Sequence, residues 1–192
     1  MIKTNIPIYL ASKSPRRRKL LKQIGLKFKS FSVKINEDPL KNESPVNCVK
    51  RLASEKLNEA LKKNIRGIFI TADTIVVLDN KIINKPFSQK EAVKYLKMLS
   101  ERVHTVYTGF CIYNSMNNKK VLDFEKTKVE FRKLSDDEIK EYVESGSPMD
   151  KAGAYGIQDD FGAVFVKKLT GCYYNVVGLP LTKIYESLKK VI

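Results

Sequence analysis

The chain has 192 residues, 43% of them hydrophobic and 30% charged, which is enough for one sizeable core and too apolar for a disordered polymer. No apolar run approaches the roughly eighteen residues of a membrane span, and the first residues give way to Pro15, Arg16 and Arg17 where a signal peptide would continue its apolar core. Against 21 acidic residues stand 36 Lys and Arg, a formal charge of +15 that favours polyanionic partners. The basic residues are spread along a sequence rich in Lys, Asn and Ile, so nucleic acid is not the expected partner, and a small phosphate-rich ligand uses the same field.

Three widely spaced cysteines, Cys48, Cys111 and Cys172, fit reduced thiols in a cytoplasmic protein better than a disulfide framework. A single histidine, His104, with no paired cysteines argues against structural zinc.

In chain order, Ile8 to Ala11 forms a short buried strand. Ser14 and Pro15 then start a helix, with a capping hydroxyl and proline at the first helical position; Leu20, Leu21 and Ile24 give it an apolar face and Gly25 ends it. Phe28 to Ile35 alternates like a strand. Ser44-Pro45 repeats the helix start, followed by Val49, Leu52, Ala53, Leu57, Ala60 and Leu61 at helical spacing. The β-branched run Ile68 to Leu78 is a central strand or strand pair, and Ser88 caps a helix through Leu99. Val103 to Tyr113 and Val121 to Phe131 form two strands joined by a polar turn. Ser135 caps the next helix, with Glu138 at capping-box spacing. Six of the nine glycines fall at or after Gly146, marking a loop-rich stretch up to Gly178, and Pro180 to Lys190 closes the chain as a helix. Strands and helices mixed in this way indicate an α/β fold with a mixed sheet; no linker divides the chain, so residues 1–192 are expected to form a single domain.

Four constellations carry chemistry. In Ala11-Ser12-Lys13-Ser14-Pro15-Arg16-Arg17 a strand ends, two hydroxyls follow, and a helix opens with two arginines. Free N–H groups at a helix start favour an anion, whereas arginines there oppose the dipole at a cost of up to ~1 kcal/mol each. The segment is either a phosphate site or an ordinary capped helix with a solvated basic start; on dipole grounds, removing Arg17 should not cost stability. Asp73, followed by Thr74, lies inside the apolar run 68–77 and is either a catalytic or metal-binding carboxylate or a turn aspartate between two strands. Glu37 supplies a second carboxylate, though by itself it resembles a surface residue; two carboxylates suit Mg²⁺ bridged to phosphates. Lys56 sits on the apolar stripe of its helix and either snorkels or reaches into a cleft, and Pro86 stiffens the loop presenting Lys85. The small residues of segment 149–158 either let backbone approach a ligand or form a structural turn. His104 has no acidic or cysteine partner nearby in sequence and is a structural histidine.

Together these segments resemble the Maf-like nucleoside triphosphate pyrophosphatases, also called septum formation inhibitor proteins. The matches are Ala-Ser-x-Ser-Pro-Arg-Arg at 11–17, Ala-Asp-Thr at 72–74, Lys-Pro at 85–86, Asp-Lys-Ala-Gly-Ala-Tyr-Gly-Ile-Gln at 150–158 and Asn-Val-Val-Gly-Leu-Pro at 175–180, in family order over nearly the whole chain. The resemblance implies a curved mixed sheet flanked by helices, two lobes with the active-site cleft between them, a divalent cation (Mg²⁺ or Mn²⁺), and cleavage of a nucleoside triphosphate to monophosphate and pyrophosphate. It casts Asp73 as proton acceptor, Glu37 and Asp73 as metal carboxylates, and adds two catalytic lysines, Lys56 as a further charge partner and Lys85 as a phosphate contact. Ser12, Ser14, Arg16 and Arg17 become phosphate contacts. Arg16, Thr74 and Gln158 match the dTTP/UTP subgroup rather than the 7-methyl-GTP subgroup. A homodimer, clearance of non-standard nucleotides and a link to cell-division arrest belong to the same expectation. Two positions depart from the pattern: Asn84 precedes Lys-Pro where glycine is frequent, and Asp159 follows Gln158 where glycine is common, which sets an acidic group beside the implied base pocket. The competing reading is a basic nucleic-acid-binding or cell-division regulatory protein without turnover. It gives no use to a carboxylate inside an apolar run.

Overall fold

A computed structural model describes residues 2–158 and 161–192. Thirteen regular elements are described: β1 (Ile8–Ala11), α1 (Pro15–Gln23), β2 (Lys29–Phe31), α2 (Pro45–Leu61), β3 (Ile68–Leu78), β4 (Lys81–Ile83), α3 (Gln89–Leu99), β5 (Val103–Asn114), β6 (Lys120–Phe131), α4 (Asp136–Glu144), β7 (Val166–Thr170), α5 (Tyr173–Val177) and α6 (Leu181–Val191). The strands form one mixed seven-stranded sheet in the order β2-β1-β3-β5-β6-β7, with β4 paired to β3, as an α/β chain with helical crossovers requires. β1 runs parallel to both β2 and β3, while β4 and β7 pair antiparallel to β3 and β6.

The chain divides into two compact units. The first holds the chain up to Asp73, Thr108–Glu125 and Gly178–Ile192; the second holds Thr74–Tyr107 and Lys126–Val177. In the first unit, α2 buries Val49, Leu52, Ala53, Leu57 and Ala60, and its core joins Ala11, Phe69 and Cys111. Gly109 on β5 permits this packing: a Cβ there would lie 2.3 Å from the Val49 carbonyl oxygen, so only glycine lets the helix backbone come this close. Helix α6 turns Leu181, Ile184, Leu188 and Val191 inward, and Asn114 Nδ2 donates to the Val191 carbonyl at 2.8 Å.

In the second unit, α3 and α4 pack Ala92, Leu96, Leu99, Ile139, Tyr142 and Val143 against Val76, Leu78, Val129 and Phe131. Both helices start as their sequence predicts. Ser88 accepts from the Glu91 amide, and Ser135 with Glu138 forms a reciprocal capping box.

Three readings from sequence change in detail. The run 68–78 is one continuous strand, and the short β4 returns beside its end through Asp79 and Asn80, both at positive φ as a tight hairpin turn demands. The strand expected over 28–35 shrinks to Lys29–Phe31. Its partner β1 ends at Ala11, opposite Phe31, so residues beyond have no ladder to join. β7 and α5 emerge from the loop-rich stretch. β7 is an edge strand carrying Lys167-Lys168, and α5 is held by Asn175, whose Nδ2 reaches the Val106 carbonyl at 3.0 Å and Thr127 Oγ1 at 2.9 Å.

Candidate active site

Strand β3 and helix α2 set the central geometry. Side chains two apart on a strand share a face, and residues three apart on a helix do likewise. Thr71 Oγ1 donates to the Ala53 carbonyl at 2.7 Å, and two residues later Asp73 Oδ1 accepts from Lys56 Nζ at 2.5 Å, three residues further along α2. Asp73 is therefore a mid-strand carboxylate, only 6% exposed, rather than a turn residue. Burying it requires a counterion, and Lys56, itself 7% exposed, supplies one. Lys56 does not snorkel to solvent. Its Nζ also meets Glu37 Oε1 at 2.6 Å, so one ammonium joins two carboxylates. Glu37 comes from the irregular segment between β2 and α2, and its side chain remains 45% exposed.

The β1–α1 junction adds the basic half. Ser12 Oγ accepts from the Ser14 amide at 3.2 Å, and Ser14 caps α1 by accepting from the Arg17 amide at 3.4 Å. The first turn of α1 holds no acidic residue to balance the helix dipole and the Arg16 charge within the helix itself. Arg17 behaves differently from the sequence expectation. Its side chain is buried, with Nε donating to the Gly178 carbonyl and Nη1 to the Ala72 carbonyl, both at 2.8 Å, and Nη1 also reaching Ser12 Oγ at 3.4 Å. Arg17 thus ties β1–α1 to β3 and to the segment ending in Pro180, and the expectation that its removal costs no stability is corrected. Burial pushes its guanidinium pKa down, Asp73 and Glu37 push it back up, and Arg16 lowers it. Those electrostatic neighbours show that 12–17, 37, 56 and 73, far apart in sequence, converge within the first unit.

The remaining predicted site residues belong to the second unit. Thr74, half-buried, follows Asp73 on β3; Lys85 is exposed between β4 and α3, behind a buried Pro86; Gln158 is half-buried after the short turn Ala152–Ala154. The segments bearing Lys85 and Gln158 are joined where the Gly153 amide donates to the Asn84 carbonyl at 3.2 Å. Gly153 has φ 72, and a Cβ there would come within 3.0 Å of Val76 Cγ2, so its close approach is to β3. Ala154 follows at φ 61, a left-handed conformation that costs a non-glycine residue roughly 1–2 kcal/mol. Asp159 lies outside the described residues.

His104 is structural, as expected. It is 1% exposed, its Nε2 lies 2.8 Å from the Tyr155 hydroxyl, and its ring meets Phe131 and Tyr155 edge-on. Sequence reasoning gave no role to the carbonyls of Ala72 and Gly178 that receive Arg17; backbone acceptors carry no signature in residue identity.

A family model described as "Maf-like protein" matches residues 7–191. The chain belongs to the Maf-like family. Among the relatives of this Maf-like chain are proteins named dTTP/UTP pyrophosphatase. That of Carboxydothermus hydrogenoformans is 43% identical over 95% of this chain and 97% of its own. Those of Dictyoglomus turgidum and Thermoanaerobacter sp. are 44% and 46% identical, each over 95% of both chains. A HAM1 protein from Coxiella burnetii shares the fold, with a TM-score of 0.51 at 13% identity over 96% of this chain and 99% of that one.

Among the described residues no three His, Cys, Asp or Glu side chains cluster as a metal cage, and no helix is long and apolar enough to cross a membrane. The two carboxylates that meet at Lys56 are hard oxygen donors. The donor chemistry of such a pair would suit a hard divalent cation such as Mg²⁺ or Mn²⁺.

Proposed function

We propose that this Maf-like chain is a nucleoside triphosphate pyrophosphatase acting on dTTP and UTP, with residues 1–192 as one functional domain working in the cytoplasm. One observation carries the chemistry: the Glu37–Lys56–Asp73 cluster beside an acid-free helix start with Arg16, Ser12 and Ser14. The relatives' shared name supports the substrates.

Asp73 accepts the proton of the attacking water. The new bond joins water oxygen to the α-phosphorus, the bond from that phosphorus to the bridging oxygen breaks, and pyrophosphate leaves with the bridging oxygen. Lys56 fixes the Asp73 carboxylate through Oδ1, which holds the base in one orientation. The Ser12 and Ser14 hydroxyls donate to phosphate oxygens, Arg16 and Lys85 neutralise their charge, and Arg17 holds the junction that presents them. Glu37 and Asp73 would hold a divalent cation, which would offset the negative charge of the triphosphate. Thr74 and Gln158 face the base.

Pyrophosphate release measured over a panel of ribo- and deoxyribonucleoside triphosphates, with Mg²⁺, with Mn²⁺ and after chelation, tests the proposal. Metal-dependent turnover of dTTP and UTP is expected. No turnover of any nucleotide with either metal would leave a non-catalytic regulatory or nucleic-acid-binding role.

A further inference from the structure

Helix α2 sends a second cation to the segment that carries Glu37, outside the chemistry above. Residues 32–44 contain no helix or strand, so no ladder of backbone hydrogen bonds fixes Glu37. Arg51 compensates. Its Nε meets Glu43 Oε1 at 2.7 Å and its Nη2 meets Glu43 Oε2 at 2.8 Å, a two-bond fork. Nη1 reaches Glu55 Oε1 at 3.1 Å, and Nη2 also donates to the carbonyl of Asp38, the residue after Glu37, at 3.0 Å. Glu43 passes the constraint on, accepting from the Leu40 amide at 3.1 Å. Its side chain is 8% exposed, and the Arg51 bonds hold its carboxyl pKa down to about 2.

The segment is therefore pinned to one helix twice: by Arg51 at the Asp38 carbonyl and by Lys56 at the Glu37 carboxylate. We infer that Arg51 is a positioning residue, which through Glu43 and the Asp38 carbonyl fixes this segment on α2 so that Glu37 meets Lys56 and the substrate phosphates. The inference rests on the pyrophosphatase reading for the role of Glu37. The planar fork matters as much as the charge, because lysine cannot serve a carboxylate and a carbonyl with several donors held in one plane.

The test compares wild type, Arg51→Gln, Arg51→Lys, Glu37→Gln and the double variant Arg51→Gln/Glu37→Gln, each confirmed folded by its melting curve. With dTTP, kcat should fall about tenfold in Arg51→Gln, the scale of a modest loss of alignment. Arg51→Lys should stay near Arg51→Gln. The double variant should be no slower than Glu37→Gln, since both changes remove the same contribution. Independently of turnover, the amides of Asp38 and of residues 40–43 should exchange hydrogen roughly tenfold faster in Arg51→Gln, with β3 unchanged. Losses that multiply in the double variant, full activity in Arg51→Lys, or unaltered exchange would each overturn the inference. A wild type without turnover but with the exchange difference refutes the pyrophosphatase reading and the use made of the clamp, while leaving the clamp itself standing.

Discussion

At the scale of single residues, the site depends on a buried charge balance. Asp73 and Lys56 are both almost wholly buried and hydrogen-bonded to each other, so each makes the other tolerable. Asp73→Asn keeps the size but loses the proposed proton acceptor; kcat should fall by roughly 10²-fold or more, the scale for a general base. Steady-state kinetics within a few-fold of wild type would remove Asp73 from the mechanism. Arg17 is the opposite kind of residue. Arg17→Ala removes the hydrogen bonds from its guanidinium to the carbonyls of Ala72 and Gly178, each a bond to a charged group worth about 1.5–3 kcal/mol. At about 2–4 °C per kcal/mol for a chain of this size, melting should drop by several degrees along with activity. A melting temperature within a degree of wild type would show that these bonds contribute nothing.

At the scale of elements, the close contact of α2 with β5 places Lys56 over β3. In Gly109→Ala the new methyl would meet backbone rather than a side chain that can turn away, with Val49 C at 2.4 Å and Val49 O at 2.3 Å. The helix must shift, at a cost of about 1–3 kcal/mol or more, and the urea midpoint should fall accordingly. An unchanged midpoint would mean the packing is looser than these distances. A second junction joins β5 to the 150–158 segment through His104 and Tyr155. Burial holds the His104 pKa down to about 3, from an ordinary value of 6.5. The folded protein thus resists a proton that the unfolded chain accepts below pH 6.5. This contribution to stability is complete above that pH and declines as pH falls towards 3, by at most ~1.4 kcal/mol per unit. Because the chain has one histidine, its imidazole resonance is unambiguous and should stay fixed from pH 8 to 5. A titration centred near 6.5 would contradict the burial.

At the scale of the whole molecule, the +15 charge belongs to composition, and the substrate choice to a few groups. On the proposed function, Gln158 would offer one acceptor and two donors to the base edge. Uracil and thymine present O4, N3–H and O2, whereas cytosine replaces O4 with an amino donor and lacks the N3 proton. A mispaired buried polar group costs ~1–3 kcal/mol, so kcat/KM for dTTP and UTP should exceed that for CTP by at least roughly tenfold. Gln158→Glu should narrow the gap. CTP or 7-methyl-GTP as the best substrate would end the subgroup reading.

The sequence by itself determined most of the elements and offered the candidate residues of the site. Ser14-Pro15, Ser44-Pro45, Ser88 and Ser135 marked four helix starts because capping is local chemistry between residues three apart. The ordered motifs identified the family, and Asp73 stood out because a carboxylate in an apolar run needs a partner. Which partner it has, only the tertiary structure decided. Lys56 on its helix stripe was equally compatible with snorkelling, and Glu37 by itself resembled a surface residue, until α2 crossed β3 and the 32–44 segment folded back on that helix. The inward turn of Arg17 was hidden for the same reason: its acceptors are backbone carbonyls 55 and 161 residues away, and every residue type has such a carbonyl. β2 ended early because a strand extends only as far as its neighbour, and the end of β1 at Ala11 is a property of the sheet rather than of residues 28–35.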